Sequence, residues 1–183
     1  MAFAALSKVG LRQTAIPHLI NPKIAVSAFS KMASPIPIII VGAQESVGLI
    51  AKEALKPEYE VIHFTLRPAA FAEIPLLLKG EVPSPPSSSI GTGNWSTPPK
   101  AVVFGGAFTA DNIKELRALV DGTEGNLRKI PWVAVDGSKP RPEVRGNEQG
   151  YMAAMSKRFK KGLEELEAEG KLGADGADEV KLV

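Results

Sequence analysis

The sequence predicts an α/β fold: a small three-layer parallel sheet of about four strands, order 2-1-3-4, with helices on both faces. Three observations carry that expectation. Apolar strand-like runs alternate with stretches of helical period, which implies parallel pairing through right-handed crossovers. Ile36 to Val41 is apolar and rich in β-branched residues, as a strand buried on both faces reads. Two stretches also echo one design. IIIVGAQESVGLIAKEAL and AVVFGGAFTADNIKELRALV each read as strand, glycine turn and amphipathic helix.

Residues 1–34 precede the first strand. No acidic residue occurs from Met1 to Gln44, whereas Lys8, Arg12, Lys23 and Lys31 are basic and Ala and Ser are frequent. That is the composition of a mitochondrial transit peptide. Pro17, Asn21 and Pro22 interrupt any continuous apolar core, which argues against a secretory signal. The alternatives are a disordered tail, or an upstream extension with Met32 as the start and a cytoplasmic protein. In each case the segment is expected to lie outside the fold.

The first strand ends at Gly42. Val47, Ile50, Ala51, Ala54 and Leu55 then mark one face of a helix. Lys56-Pro57-Glu58 breaks the pattern before a second strand, Tyr59 to Thr65. Pro68 to Lys79 reads as a helix opened by proline, with Pro75 expected to shorten or kink it. Glu81 to Lys100, rich in Pro, Ser and Gly, reads as a flexible insertion with Trp95 the residue able to dock.

Ala101 to Phe104 is the third strand, followed by Gly105-Gly106. Thr109 can cap the next helix, whose apolar face is Ile113, Leu116, Leu119 and Val120 and whose end is Asp121-Gly122. Ile130 to Val135 is the fourth strand, and Pro131 near its start suits a sheet edge. Lys139 to Gly146 is a loop. A last helix from about Glu148 to Glu169 carries Met152, Met155, Phe159, Leu163 and Leu166 toward the core. Lys160–Glu164 and Lys161–Glu165 are spaced as i, i+4 pairs on its solvated face. Residues 171–183 read as a frayed tail. The single domain is therefore expected over 35–170.

Composition excludes several classes. There is no cysteine, so no disulfide, thiolate nucleophile or cysteine metal site exists. Two histidines, His18 and His63, are too few for a histidine-rich metal centre. The net charge of +2 offers no electrostatic reason to expect a nucleic-acid partner. No apolar run approaches the roughly 20 residues of a membrane span. No Walker A sequence and no G-x-S-x-G is present.

In open α/β sheets ligands sit beyond the carboxyl ends of the strands, where the strand order reverses. That rule selects Gly42 to Ser46, Thr65 to Arg67, Gly105 to Thr109 and Asp136 to Lys139. The first helix would offer free N–H groups near Glu45 to Val47, suited to phosphate. Gly42 would let a ligand approach the backbone. His63, within a strand, reads as structural, and Trp132 and Phe108 read as core.

Residues 35 to 67 resemble the first βαβ unit of NAD(P)-binding Rossmann proteins, loosely of the NmrA-like and short-chain dehydrogenase group. Gly42 and Gly48 match the outer glycines of a G-x-x-G-x-x-G turn, and Glu45 holds the middle position. The resemblance implies a Rossmann-like or flavodoxin-like domain. Together with the strand-edge rule, it gives the expected cofactor contacts: Gly42, Ala43, Gln44, Glu45, Ser46, Gly48, Thr65 and Arg67 from this unit, and Gly105 and Gly106 from the turn after the third strand. No Asp or Glu ends the second strand to hold a ribose, while Arg67 stands where a 2′-phosphate would be met, which favours NADP over NAD. The group's Tyr-x-x-x-Lys is not met: Tyr151 is followed four residues on by Met155, and Lys157 is off the spacing. Two expectations follow. One is a protein that binds NADP(H) or another nucleotide or small molecule. The other is a non-catalytic module for a protein partner, with Glu45 and residues 81–100 closing the groove.

Overall fold

The computed structural model describes Met1 and residues 34–142, 148–174 and 177–183. The candidate targeting stretch ahead of Ala33 lies outside the described residues. Ser34–Val183 forms one compact unit.

Five parallel strands form one sheet: β1 (Ile36–Gly42), β2 (Tyr59–Leu66), β3 (Ala101–Phe104), β4 (Trp132–Ala134) and β5 (Val180–Leu182). Their order is β2-β1-β3-β4-β5. This is the expected α/β architecture, with one strand more. The helices are α1 (Glu45–Ala54), α2 (Ala70–Lys79), α3 (Ala110–Gly122) and α4 (Glu148–Ala168). Successive residues of β1 point to opposite faces. Ile38 and Ile40 enter one core layer with Ala51 of α1 and Phe159 and Leu163 of α4. Ile39 and Val41 enter the other with Ile74 and Leu77 of α2 and Leu116 of α3. Both faces are covered, which is why the run is apolar throughout instead of alternating.

Local signals set most element ends. Thr109 caps α3 through a capping box with Asn112. Gly80, at φ 86°, ends α2, where Gly80 and Glu81 donate to Leu77 and Leu76 carbonyls at 3.1 and 2.9 Å. Pro75, expected to shorten or kink this helix, does not end it: α2 is ten residues long with Pro75 inside. The helix runs through it, forgoing the N–H that would have reached the Phe71 carbonyl, and Pro75 is buried. Of the apolar face expected on α3, Leu119 is exposed, because α2 and the sheet together cover only the Ile113–Leu116 side. Lys160 bonds Glu58 at 2.7 Å rather than Glu164, while Lys161 lies 3.9 Å from Glu165.

Two expectations change more substantially. Residues 81–100 are not a loose excursion: they run along the free edge of β2. Phe64 donates to the Ile90 carbonyl at 3.0 Å, and Thr92 and Gly93 donate to the Val61 and Ile62 carbonyls at 3.0 and 3.1 Å. An uncovered edge strand leaves its backbone groups without protein partners, and this strap supplies them. Gly91, at φ 133°, makes the approach feasible, since a Cβ there would stand 2.4 Å from the Ile62 carbonyl oxygen. Trp95 does dock: it is half-buried, 5.9 Å ring to ring from His63.

At the other edge, residues 180–182 are β5 instead of a frayed tail. Trp132 donates to Glu179, and Val183 to Ala134, each at 2.9 Å. β4 therefore lies inside the sheet, not at its edge. Pro131 is compatible with that position because it precedes the strand and contributes only its carbonyl, which accepts from Val102 at 3.1 Å. The lead-in to β5 is pinned by an ion pair between Arg117 and Asp178, with the Arg117 guanidinium 4.8 Å over the Trp132 ring.

Candidate functional site

β1 and β3 are neighbours in register, Val41 opposite Phe104. Their helices leave to opposite faces, α1 to one and α3 to the other. The two chain ends part beyond the strands and leave a crevice, as the topology requires. It is a pocket of about 210 Å³ with Gly42–Gln44 on one side and Gly105–Ala107 on the other. Tyr151, Met152 and Met155 of α4 form its outer wall. The lining is apolar apart from backbone, Gln44 and the Tyr151 hydroxyl.

A second pocket, of about 490 Å³, lies at the ends of β3 and β4. Gly106, Tyr151 and Met155 line both pockets, so Tyr151 stands at their junction. The second pocket is cationic: Lys139, Arg141 and Arg158 line it, beside Thr109 at the start of α3. Arg158 donates to the Pro140 carbonyl at 3.1 Å, and Lys139 lies 3.7 Å from Asp136. The Asp136 carboxyl is held below its ordinary value by the Ser138 hydroxyl and backbone N–H, with Lys139 adding to the effect.

Gly42, Ala43, Gln44, Gly105 and Gly106 of the expected cofactor set come together in the first pocket. The others stand elsewhere. Glu45 opens α1, and its carboxylate accepts from Ser88 Oγ of the strap at 2.8 Å. Ser46 is exposed on the first turn of α1. Thr65 is fully buried on β2. Arg67 is exposed in a short 3-10 turn, Arg67–Ala69, and lines neither pocket. Gly48 is buried, and its role is shared with Gly42. A Cβ at Gly42 would stand 2.6 Å from Phe64 Cζ, and one at Gly48 2.8 Å from Phe64 Cε2. Both glycines make room for one phenylalanine ring beneath the turn.

A buried polar cluster holds the strap. His63 Nε2 lies 3.0 Å from Glu73 Oε2, and both side chains are almost wholly enclosed. Glu73 also accepts from the Ser87 N–H, and Ser87 Oγ accepts from Leu66 N–H at 3.0 Å. Burial pushes the Glu73 carboxyl up, but the hydrogen bonds from His63 and Ser87 outweigh it and hold the group below its ordinary value. His63 is structural, as the sequence suggests. Its partner Glu73 is not among the residues singled out from the sequence, yet a signal for it exists: Ala70, Glu73, Ile74 and Leu77 share one helical face, so a carboxylate interrupts an apolar stripe. The same reasoning reaches Arg158, two helical turns after Tyr151 and so on the same face of α4.

Among the described residues, no three His, Cys, Asp or Glu side chains converge as a metal site requires. Nor is any described helix long and apolar enough to cross a membrane. A curated protein of Aspergillus oryzae, Kojic acid related protein 6, is 32% identical over 155 residues, spanning 82% of this chain and 92% of its own length. No family model matches the chain, and no solved structure matches it.

Proposed function

We propose that this chain, which belongs to the family of Kojic acid related protein 6, binds a nucleotide-class small molecule at the carboxyl edge of β1 and β3. One observation carries this reading. The crevice between the Gly42 and Gly105–Gly106 turns is apolar and adjoins, at Gly106, Tyr151 and Met155, a pocket lined by three cations. Apolar walls with a few convergent polar groups are what a planar ring bearing an anionic tail needs. The reading concerns binding; among the described residues, no set of nucleophile, base and orienting group stands in the crevice to specify a reaction.

Calorimetric titration of the full chain with NADPH, NADP⁺, flavin mononucleotide and kojic acid, the compound in the relative's name, tests it. Saturable binding of at least one nucleotide is expected. A Gly106→Leu variant, which fills the junction of the two pockets, should abolish it while circular dichroism stays unchanged. Absence of saturable binding by any nucleotide would overturn the reading and leave the non-catalytic association module as the better account. Kojic acid binding alone would move the ligand class away from nucleotides.

A further inference from the structure

We infer that the site takes a ligand of mononucleotide size, its ring in the apolar pocket and its phosphate in the cationic one, rather than a dinucleotide laid across the sheet edge. This rests on the reading just proposed and narrows it.

A dinucleotide spans the switch point. One half lies over the end of the second strand, the pyrophosphate lies on the first glycine turn, and the other half lies over the later strands. Here the β2 half is occupied by the protein itself. Ser87 Oγ takes the Leu66 N–H at the end of β2, and Ser88 Oγ bonds Glu45 at the start of α1. The strap is thus tied down on both sides of the place an adenosine would cross. Glu45, the middle position of the glycine pattern, opens α1 with a carboxylate held by Ser88, a charge that would repel a pyrophosphate laid on that turn. Arg67, the cation suited to a 2′-phosphate, is exposed and outside both pockets.

The other half is open. The pocket of about 210 Å³ has room for a small ring system between the glycine turns and Met155. Beyond Tyr151 the pocket of about 490 Å³ brings Lys139, Arg141 and Arg158 against one carboxylate, Asp136, already engaged by Ser138. The first N–H groups of α3 beside Thr109 add to that positive field. Phosphate therefore belongs at the β3–β4 end, one strand further along the sheet than the glycine turn of β1.

The test compares halves of one cofactor on the full chain. Reduced nicotinamide mononucleotide, NADPH and adenosine 2′,5′-bisphosphate are titrated into wild type, Arg67→Ala, Arg158→Glu and Lys139→Glu. The mononucleotide should bind within about threefold of NADPH, and the bisphosphate should not compete. Arg158→Glu and Lys139→Glu should each weaken the mononucleotide tenfold or more, and Arg67→Ala should change nothing. Lys139 is in an exposed loop, so its variant guards against a folding defect from the lost Arg158–Pro140 bond. NADPH binding at least tenfold tighter than the mononucleotide, and lost in Arg67→Ala, would overturn the half-site while leaving nucleotide binding in place. Failure of every nucleotide to bind would remove the underlying reading, and this inference with it.

Discussion

The two strand–glycine–helix units share a local pattern and use it differently. In the first, Gln44 precedes α1 in extended conformation and makes no side-chain cap bond. In the second, Thr109 Oγ1 accepts from Asn112 N–H and Asn112 Oδ1 accepts from Thr109 N–H, both at 3.2 Å. The glycines differ as well. Gly42 and Gly48 lie on Phe64, so their missing side chains are filled from within the core. Gly106 faces the Tyr151 hydroxyl, 3.1 Å from where its Cβ would be, and borders both pockets. A glycine turn is thus not by itself a phosphate site. What lies against it decides, and here the first turn is largely packing while the second opens outward.

The sharpest way to break this contrast is to add one methyl group to each turn. Gly42→Ala should destabilise the fold by roughly 1–3 kcal/mol, as overpacking of a tight core does. The same change in a Phe64→Leu background should cost clearly less, because the ring it meets is gone. Gly106→Ala should stay within about 0.5 kcal/mol, since a side-chain hydroxyl can move aside where a packed ring cannot. Urea unfolding of wild type, Gly42→Ala, Phe64→Leu, the double variant and Gly106→Ala measures this. Equal costs at Gly42 and Gly106 would erase the distinction between a packed and an open turn.

The strap deepens the contrast, since it is anchored to the first unit and absent from the second. Glu73→Gln should cost on the order of 1–3 kcal/mol at pH 7, the range for a disrupted buried hydrogen-bond partner. Its pH dependence carries a sign. The Glu73 carboxyl is held below its ordinary value of 4.5 in the folded chain, so it contributes stability fully above that value. That contribution is lost as pH falls through the depressed folded value. Wild type and Glu73→Gln should therefore converge in stability as pH drops below about 4.5. Curves that stay parallel through acid would show that the carboxylate is not what holds the strap. Limited proteolysis should cut the variant first between residues 83 and 97, where wild type resists.

The smallest effects concern the caps. Thr109→Ala should cost about 1 kcal/mol, because an N-terminal N–H of α3 loses its acceptor. Gln44→Ala should change stability by only a few tenths of a kcal/mol, there being no cap bond to lose. Thermal unfolding of the two variants side by side decides between them. A loss at Gln44 matching that at Thr109 would mean that the first turn depends on a side-chain contact after all.

Much of what depends on near neighbours along the chain was legible in the sequence, although Pro75, Leu119 and the Lys160–Glu164 pair were not. The apolar run of β1, the helical period of α1 and α4, the Thr109 cap and the order 2-1-3-4 follow from period, capping chemistry and the handedness of crossovers. The glycine turns likewise located the edge where Gly42–Gln44 and Gly105–Gly106 meet. What the chain order does not contain is which distant group arrives at an open position. The Pro- and Ser-rich residues 81–100 look loose because they have no period of their own. They are ordered by the unpaired backbone of Val61, Ile62 and Phe64 and by the His63–Glu73–Ser87 cluster. Val180–Leu182 is too short to read as a strand until β4 offers it a ladder. Arg67 has the chemistry for a 2′-phosphate and the wrong place, whereas Arg158, far along the chain, shares a pocket with Gly106. Residue type sets what a group can bind; only the tertiary packing sets what it meets.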